Sequence, residues 1–213
     1  MKFDAAQLTL YAVTDRGTRS FEQLCEQVEH ALKGGVTCVQ LREKDLSEDA
    51  LIAEATVLTA LCHRYGVPLL VDDNWQAAMI SGADGVHVGQ EDTSVAEIRA
   101  AAGPDFIIGA TAKTVEQAKT AEREGADYLG VGAVFPSPTK PNAVRITEEQ
   151  LKTICSSVSI PAVAIGGIEL HHVAALRGRG IRGIAVISAL FSAPDIQTAA
   201  KELKAAVLSL TET

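Results

Sequence analysis

The sequence predicts a single (β/α)8 barrel, an α/β fold in which eight parallel strands alternate with helices around one ring. Three observations predict it. A unit of strand, turn and helix recurs eight times, the length of 213 residues suits one complete barrel, and no G-x-G-x-x-G motif opens the first helix. In addition, unusual polar residues follow many different strands, and a barrel gathers those ends at one mouth. We therefore expect one domain over residues 1–213, with its site at the C-terminal ends of the strands.

Short runs of β-branched and apolar residues predict the eight strands. In chain order they are Thr9–Val13, Cys38–Arg42, Pro68–Val71, Gly85–Val88, Ile107–Ala110, Tyr128–Val131, Ala162–Ile165 and Gly183–Val186. The segments between them place apolar residues at three- and four-residue steps, which is the period of an amphipathic helix. Ser47 and Thr114 stand where helix N-caps are expected, and Gly125 follows the helix that Thr114 opens.

Composition excludes several classes of protein. The formal net charge is -8, so no basic face is available to neutralise the phosphates of a nucleic acid. No apolar run approaches the roughly 20 residues that cross a bilayer, and the N-terminus is too polar for a signal peptide. The four cysteines are scattered without metal-ligand spacing, so we expect them to be reduced. We expect a cytoplasmic protein whose partners are small-molecule substrates and, at most, further copies of the same chain.

Cations follow the second predicted strand, in the run VQLREKD. Because strand residues alternate between faces, Gln40, Arg42 and Lys44 point one way while Leu41 and Glu43 point the other. Two cations and an amide on one side of a barrel strand favour a clamp for an anion, since Arg binds phosphate through two donors. The alternative is a solvated rim on which the cations pair with nearby acids.

Carboxylates follow the third and fourth strands. Asp72 and Asp73 end strand three, while strand four carries His87 inward and Asp92 into its loop. Neighbouring carboxylates at strand ends suggest a site for a hard cation, such as Mg²⁺ bridging to phosphate oxygens. The alternative is that the acids only cap helices, Asp92 the one beginning near Ser94 and Asp72 or Asp73 the preceding one.

The loops after strands five and six offer donors for a phosphate. Thr111 and Lys113 follow strand five, and the run FPSPTK after strand six provides Ser137, Thr139 and Lys140. Two hydroxyls and an ammonium directly after a barrel strand are the groups that a phosphate or diphosphate requires.

Strands seven and eight predict a second anion site. Gly166 and Gly167 expose backbone N–H groups after strand seven, and a short additional helix starts at Ile187 and Ser188. Loops after these strands, together with a helix N-terminus, form the usual phosphate site of this fold. Two anion sites at one mouth indicate two phosphorylated substrates, one of them a diphosphate.

Six motifs together resemble the thiamine-phosphate synthase family. LYAVTDR, VQLREK, GVHVGQED, FPSPTK, IPAVAIGGI and IAVISALF occur in the order of that family over nearly the whole chain. The resemblance implies a transferase of thiamine biosynthesis. It would join 4-amino-5-hydroxymethyl-2-methylpyrimidine diphosphate to 4-methyl-5-(2-hydroxyethyl)thiazole phosphate, in a dissociative, Mg²⁺-assisted substitution that gives thiamine phosphate and diphosphate.

The resemblance also implies a role for each matching residue. Near the pyrimidine it places Gln40 and His87. On the diphosphate it places Arg42, Lys44, Thr111 and Lys140, of which Arg42, Lys44 and Lys140 are the catalytic cations. As Mg²⁺ ligands it places Asp73 and Asp92. On the thiazole phosphate it places Ser137, Thr139, Gly167, Ile187 and Ser188.

The chain departs from the family pattern at three positions. Asp72 stands where an Asn usually donates to the diphosphate, and an ionised acid cannot donate. We expect Asp72 to lie at the substrate-binding site. It would either hold a water molecule bound to the metal or remain outside the metal's ligand shell. Thr111 replaces a Ser and keeps the hydroxyl, and Ala133 replaces a common Pro.

Other functions share part of this residue pattern. The thiazole tautomerase branch of the same fold is similar, but it uses a His where this chain has Lys113, and it needs no diphosphate cation such as Lys140. A non-catalytic phosphate-binding barrel would not need both Asp73 and Asp92. A phospho-sugar isomerase or epimerase would need an acid–base pair in place of clustered cations.

Overall fold

Eight parallel strands form a closed barrel in which each strand pairs with its neighbours in chain order and β1 also pairs with β8. The computed structural model describes residues 3–136 and 144–211. The strands are β1 Leu10–Val13, β2 Cys38–Leu41, β3 Leu69–Asp72, β4 Gly85–Val88, β5 Ile107–Ala112, β6 Tyr128–Gly132, β7 Ala162–Ile165 and β8 Gly183–Val186. All eight predicted strands are confirmed, and their ends differ from the prediction by at most two residues.

Helices cover the outside of the barrel. They are α1 Phe21–Lys33, α2 Glu48–Arg64, α3 Trp75–Ser81, α4 Val95–Ala102, α5 Val115–Glu124, α6 Glu148–Cys155, α7 Ser188–Phe191 and α8 Ile196–Thr211, with 3-10 helices at Ala5–Leu8 and Leu170–Leu176. The predicted caps are confirmed, because the side chains of Ser47 and Thr114 each accept a first-turn N–H and Gly125 ends α5 in the left-handed region.

One connection differs from the predicted pattern. After β7 the chain forms a 3-10 helix rather than an α-helix. Residues 170–176 include two adjacent histidines and a valine, which are weak helix formers, and Gly178 and Gly180 follow with positive φ. The segment is therefore too short and too weak to extend into a regular α-helix. No helix in the described part of the chain is long and apolar enough to cross a membrane.

The wall of the barrel separates two apolar cores. In β1, Leu10 and Ala12 belong to the large core between the barrel and its helices, while Tyr11 and Val13 belong to a smaller core inside the barrel. This two-sided burial explains why the strands consist of continuous apolar runs rather than alternating polar and apolar residues. The site lies above the inner core, so the side chains that point into the barrel form its floor.

Two strand glycines make room for polar aromatic rings inside the barrel. A Cβ added at Gly109 would lie 2.1 Å from Cζ of Tyr128, and one at Gly130 would lie 2.9 Å from Cε1 of His87. Both distances are too short for a side chain, so these positions are glycine because the rings of the neighbouring strands occupy the space.

Candidate active site

A cavity of about 620 Å³ opens at the C-terminal ends of the strands. Every strand of the barrel contributes to it at or near its carboxyl end: Val13, Gln40, Asp72, His87, Thr111, Gly132, Ile165 and Ala185. The mouth of the barrel is therefore one continuous space, and residues far apart in the sequence meet there.

The predicted site residues lie together in this cavity wherever the structure describes them. The residues concerned are Gln40, Arg42, Lys44, Asp72, Asp73, His87, Asp92, Thr111, Gly167, Ile187 and Ser188. Ser137, Thr139 and Lys140 lie outside the described residues. The predicted strand alternation is also confirmed, because Leu41 packs in the outer core and Glu43 pairs with Arg16 at 3.0 Å.

We define the side-chain rim as Arg42, Lys44, Asp72, Asp73 and Asp92. The Lys44 ammonium lies 2.7 Å from Asp72 Oδ2 and also contacts the Asp73 carboxylate. Burial lowers the pKa of Lys44, but its bonds to Asp72 and Asp73 outweigh burial and raise the pKa above its ordinary value. Lys44 therefore stays charged in the cavity.

Arg42 is less completely paired than Lys44. Its Nε lies 3.7 Å from Asp72 Oδ2, which is too far for a hydrogen bond, and this buried nitrogen has no hydrogen-bond partner among the described residues. A buried guanidinium N–H without an acceptor is costly unless an anion arrives. Arg42 and Lys44 thus lie beside acids, as expected for a solvated rim of paired charges. Both also line the cavity and can still donate hydrogen bonds to an anionic ligand.

The carboxylates of the side-chain rim are not helix caps. The caps of α3 and α4 are Asn74, whose side chain accepts from Ala77 N at 2.8 Å, and Ser94, whose side chain accepts from Glu97 N at 3.3 Å. The cap explanation of Asp72, Asp73 and Asp92 is therefore wrong, since the residue nearest each helix start does the capping.

Asp73 adopts an unusual backbone conformation. Its φ is 61°, in the left-handed region that is uncommon for residues other than glycine, and its N–H donates to the carbonyl of His87 at 2.9 Å. Strain of this kind is concentrated at functional sites, where the surrounding structure maintains it. The conformation places the Asp73 carboxylate in the cavity beside Lys44.

Asp92 lies next to Asp73. Its Oδ2 accepts the backbone N–H of Gly89 at 2.7 Å. Burial raises the pKa of Asp92, the Gly89 bond opposes this, and the neighbouring Asp73 carboxylate raises the pKa further. Two like charges brought together favour a cation between them.

The described residues contain no group of three or more His, Cys, Asp or Glu that could hold a metal ion. The Asp73–Asp92 pair nevertheless fits Mg²⁺, which typically uses one or two carboxylates and takes its other ligands from water and substrate phosphates. The oxygen donors of the pair match this preference for hard ligands. The same two residues were the predicted metal ligands.

We define the backbone rim as Gly166, Gly167, Ile187 and Ser188. Both glycines have positive φ, and a Cβ at Gly167 would lie 2.1 Å from the carbonyl oxygen of Pro136. Gly167 thus packs directly on the first two residues of the FPSPTK motif, Phe135 and Pro136. The predicted short helix is confirmed as α7, with Ile187 at its N-cap and no side-chain cap bond.

A chain of hydrogen bonds crosses the floor of the cavity. Gln40 Nε2 donates to the Tyr11 hydroxyl at 2.8 Å, and the hydroxyls of Tyr11 and Tyr128 lie 2.9 Å apart. The Tyr128 hydroxyl lies 2.9 Å from His87 Nδ1, and His87 Nε2 lies 3.0 Å from Thr111 Oγ1. We call these five residues the buried chain.

Sequence reasoning missed Tyr11 and Tyr128. Strand alternation places Tyr11 on the same face as Val13 and Tyr128 on the same face as Gly130, so both rings point into the barrel. A buried tyrosine hydroxyl requires a partner, and that requirement could have singled out both residues.

Further cavity residues follow β4 and β5. Gln90, Glu91 and Lys113 lie in the loops, and Gln117 lies in the first turn of α5. The backbone N–H of Lys113 donates to Gln117 Oε1 at 2.8 Å, and Gln90 Nε2 donates to the carbonyl of Thr111 at 2.5 Å. The sequence placed Lys113 in this loop without assigning it a role. Lys113 adds a third cation to the cavity, at the place where a tautomerase is expected to have a His.

Fold and site together define a (β/α)8-barrel enzyme that gathers cations and carboxylates at its mouth. The profile of the family described as TMP-TENI, thiamine monophosphate synthase, matches residues 10–190. The chain belongs to this family.

Relatives of known description support this assignment over most of the chain. It is 46% identical to a thiamine-phosphate synthase of Ruminiclostridium cellulolyticum over 195 residues, covering 92% of this chain and 93% of that one. It is 44% identical to thiamine-phosphate synthase 2 of Streptococcus pneumoniae over 190 residues, covering 89% and 90%.

Solved structures agree with the sequence relatives. The thiamine phosphate pyrophosphorylase of Pyrococcus furiosus superposes with a TM-score of 0.89 at 38% identity, covering 97% of this chain and 98% of that chain. A 3-hexulose-6-phosphate synthase superposes with a TM-score of 0.70 at 18% identity, covering 93% and 99%, and shows only the shared fold.

Proposed function

We propose that this chain is a thiamine-phosphate synthase, joining 4-amino-5-hydroxymethyl-2-methylpyrimidine diphosphate to 4-methyl-5-(2-hydroxyethyl)thiazole phosphate. One observation carries the proposal beyond family membership: Arg42 and Lys44 share a cavity with the adjacent carboxylates Asp73 and Asp92. Cations beside a carboxylate pair suit a diphosphate that arrives with Mg²⁺.

The chemistry requires a leaving group rather than an enzyme nucleophile. The bond from the pyrimidine methylene carbon to the diphosphate oxygen breaks, and the thiazole nitrogen supplies the electron pair of the new C–N bond. The aminopyrimidine donates electron density to the reacting carbon, so charge separates before the new bond forms. Catalysis then consists of stabilising the departing diphosphate and holding the thiazole nitrogen in line.

The side-chain rim stabilises the departing diphosphate. Arg42 offers a guanidinium nitrogen without a hydrogen-bond partner among the described residues, and Lys44 offers a charged ammonium. Lys140 adds a further cation by resemblance. Asp73 and Asp92 would hold Mg²⁺, which would neutralise charge on the leaving oxygens. Asp72 binds Lys44 directly, so we assign it to neutralising this cation until the diphosphate binds rather than to donating a hydrogen bond.

The floor and the backbone rim position the other groups. Gln40 and His87 contact the pyrimidine, and Thr111 contacts its diphosphate. The thiazole phosphate binds at Gly167, Ile187 and Ser188, with Ser137 and Thr139 from the loop after β6. Backbone groups hold this phosphate because it stays on the product.

The direct test is to mix purified protein with both substrates and Mg²⁺ and to measure thiamine phosphate and diphosphate. We expect the two products in equal amounts, and neither when thiazole phosphate is omitted. Failure to form thiamine phosphate under these conditions would overturn the proposal. Conversion of the thiazole phosphate alone to a tautomer would indicate the tautomerase reaction instead.

A further inference from the structure

The buried chain links three residues that line the cavity, Gln40, His87 and Thr111, through two that take no part in the proposed mechanism, Tyr11 and Tyr128. Tyr11 and Tyr128 are 1% and 0% exposed, so they touch the substrates only through their partners. Burial raises the pKa of both phenols well above the ordinary value. Each hydroxyl therefore stays protonated and has one hydrogen to donate.

The hydrogen bonds of the buried chain run in one direction. The amide nitrogen of Gln40 can only donate, so the Tyr11 oxygen accepts from it. Only one direction gives each buried hydroxyl hydrogen an acceptor along the chain: Tyr11 donates to Tyr128, and Tyr128 donates to His87 Nδ1. His87 in its neutral form must carry its hydrogen on Nε2, from which it donates to Thr111 Oγ1. The hydroxyl hydrogen of Thr111 is left for a ligand in the cavity.

We propose that Tyr11 and Tyr128 are positioning residues that fix this direction, so that Thr111 donates its hydrogen to the diphosphate and Gln40 presents a fixed amide to the pyrimidine. The proposal rests on the proposed function for the identity of the ligands. The direction of the buried chain itself follows from the ligand-free geometry.

The direction matters for an anionic substrate. In the opposite direction, Thr111 would give its hydrogen to His87 and turn only lone pairs toward phosphate oxygens, which is repulsive. Gln40 would present its amide reversed. With the direction found here, Gln40 keeps its carbonyl oxygen and one N–H, and such a pair matches the amino group and ring nitrogen of an aminopyrimidine, much as an amide pairs with adenine.

Neighbouring strands leave space for the rings of the buried chain. Gly109 and Gly130 lack side chains where Tyr128 and His87 lie. A single bond between the two tyrosine hydroxyls would use only one of their two hydrogens. Here each also bonds to a residue that lines the cavity, Tyr11 to Gln40 and Tyr128 to His87.

The first test measures the histidine tautomer directly. Imidazole ¹⁵N chemical shifts of the full ligand-free chain, at a pH where histidine is neutral, distinguish hydrogen on Nε2 from hydrogen on Nδ1. The His87→Gln variant identifies the signals. We expect hydrogen on Nε2, and hydrogen on Nδ1 in the folded wild type would overturn the proposal. This test needs no turnover, so it stands apart from any failure of the proposed function.

The second test separates the two tyrosines by kinetics. Loss of one hydrogen bond of this kind changes a rate or an affinity about tenfold. We expect Tyr128→Phe to lower kcat and Tyr11→Phe to raise the KM of the pyrimidine diphosphate, each by about that factor, while the KM of thiazole phosphate stays constant. Tyr65→Phe removes a surface hydroxyl that bonds Glu29 and is the matched control.

A double-mutant cycle shows whether Tyr128 acts through Thr111. Thr111→Ser keeps a hydroxyl and should keep the wild-type kcat, whereas Thr111→Val has no hydroxyl and should have a lower kcat. Adding Tyr128→Phe to Thr111→Val should not lower kcat further, because the hydroxyl hydrogen whose direction Tyr128 sets is already absent. Wild-type kinetics in folded Tyr11→Phe and Tyr128→Phe proteins, or fully additive losses in the cycle, would refute the positioning role.

Discussion

The two rims of the cavity bind through different parts of the polypeptide. The side-chain rim, after β2, β3 and β4, consists of charged side chains that pair with one another, as Lys44 does with Asp72. The backbone rim, after β7 and β8, consists of positive-φ glycines and the start of α7. Charged side chains can exchange partners when a ligand arrives or leaves, whereas backbone groups are fixed by the fold.

This difference matches the two fates of phosphate in the proposed reaction. A diphosphate must be held more strongly as it departs, and this requires charged side chains that can change partners together with a metal cation. A monophosphate that stays on the product needs only to be held in place. Perturbing one rim at a time therefore tests this match.

Metal removal should have the largest effect. Excess EDTA should reduce turnover by about 1,000-fold, because a metal supplies several kcal/mol of charge stabilisation to a leaving group. Added Mg²⁺ should restore the rate. Binding of thiazole phosphate, followed by calorimetry, should not change under chelation. Full activity in excess EDTA would refute the assignment of Asp73 and Asp92 as metal ligands.

Arg42→Ala should follow in size. We expect a loss of about 100-fold in kcat, typical for removing one preorganised charge-stabilising donor. Steady-state kinetics measure it, and Lys140→Ala should behave similarly. Arg123→Ala removes an exposed guanidinium that bonds only Thr120 among the described residues and should leave kcat unchanged. Near-normal kcat in Arg42→Ala would refute the diphosphate clamp.

Gly167→Ala tests the backbone rim. The new Cβ would meet the Pro136 carbonyl at 2.1 Å with φ at 64°, so we expect a loss of about 1–3 kcal/mol in the free energy of unfolding and weaker thiazole phosphate binding. Gly178 has a similar φ of 72°, but an added Cβ there would meet nothing within 4 Å. The Gly178→Ala variant therefore measures the effect of backbone strain without the steric clash. Equal behaviour of the two variants in denaturation and binding would contradict the assignment.

Asp72→Asn should have the smallest effect. Removing this carboxylate frees Lys44 for the substrate, so the KM of the pyrimidine diphosphate should fall about threefold, as expected for loss of a partly exposed ion pair. The exposed Asp105 provides the control variant Asp105→Asn. A rise in KM for Asp72→Asn would mean that the acid assists binding through the metal or its water.

Much of the site could be predicted because strand alternation is a local property. The run from Gln40 to Lys44 fixes which side chains share a face, and the structure confirms Arg42 and Lys44 in the cavity. The helix caps were harder to assign, since Asp73 and Asn74 are both good caps and adjacent. Only the folded loop shows that Asn74 takes the cap and Asp73 turns into the left-handed region.

By itself the sequence determined the eight strands, the barrel, the inward faces and the polar residues at each strand end. These follow from periodicity within a few residues. The tertiary structure alone decided which groups from different strands meet, such as the hydroxyls of Tyr11 and Tyr128, which are 117 positions apart. The physical reason is that barrel closure fixes distances across the ring, and no local pattern along the chain encodes them.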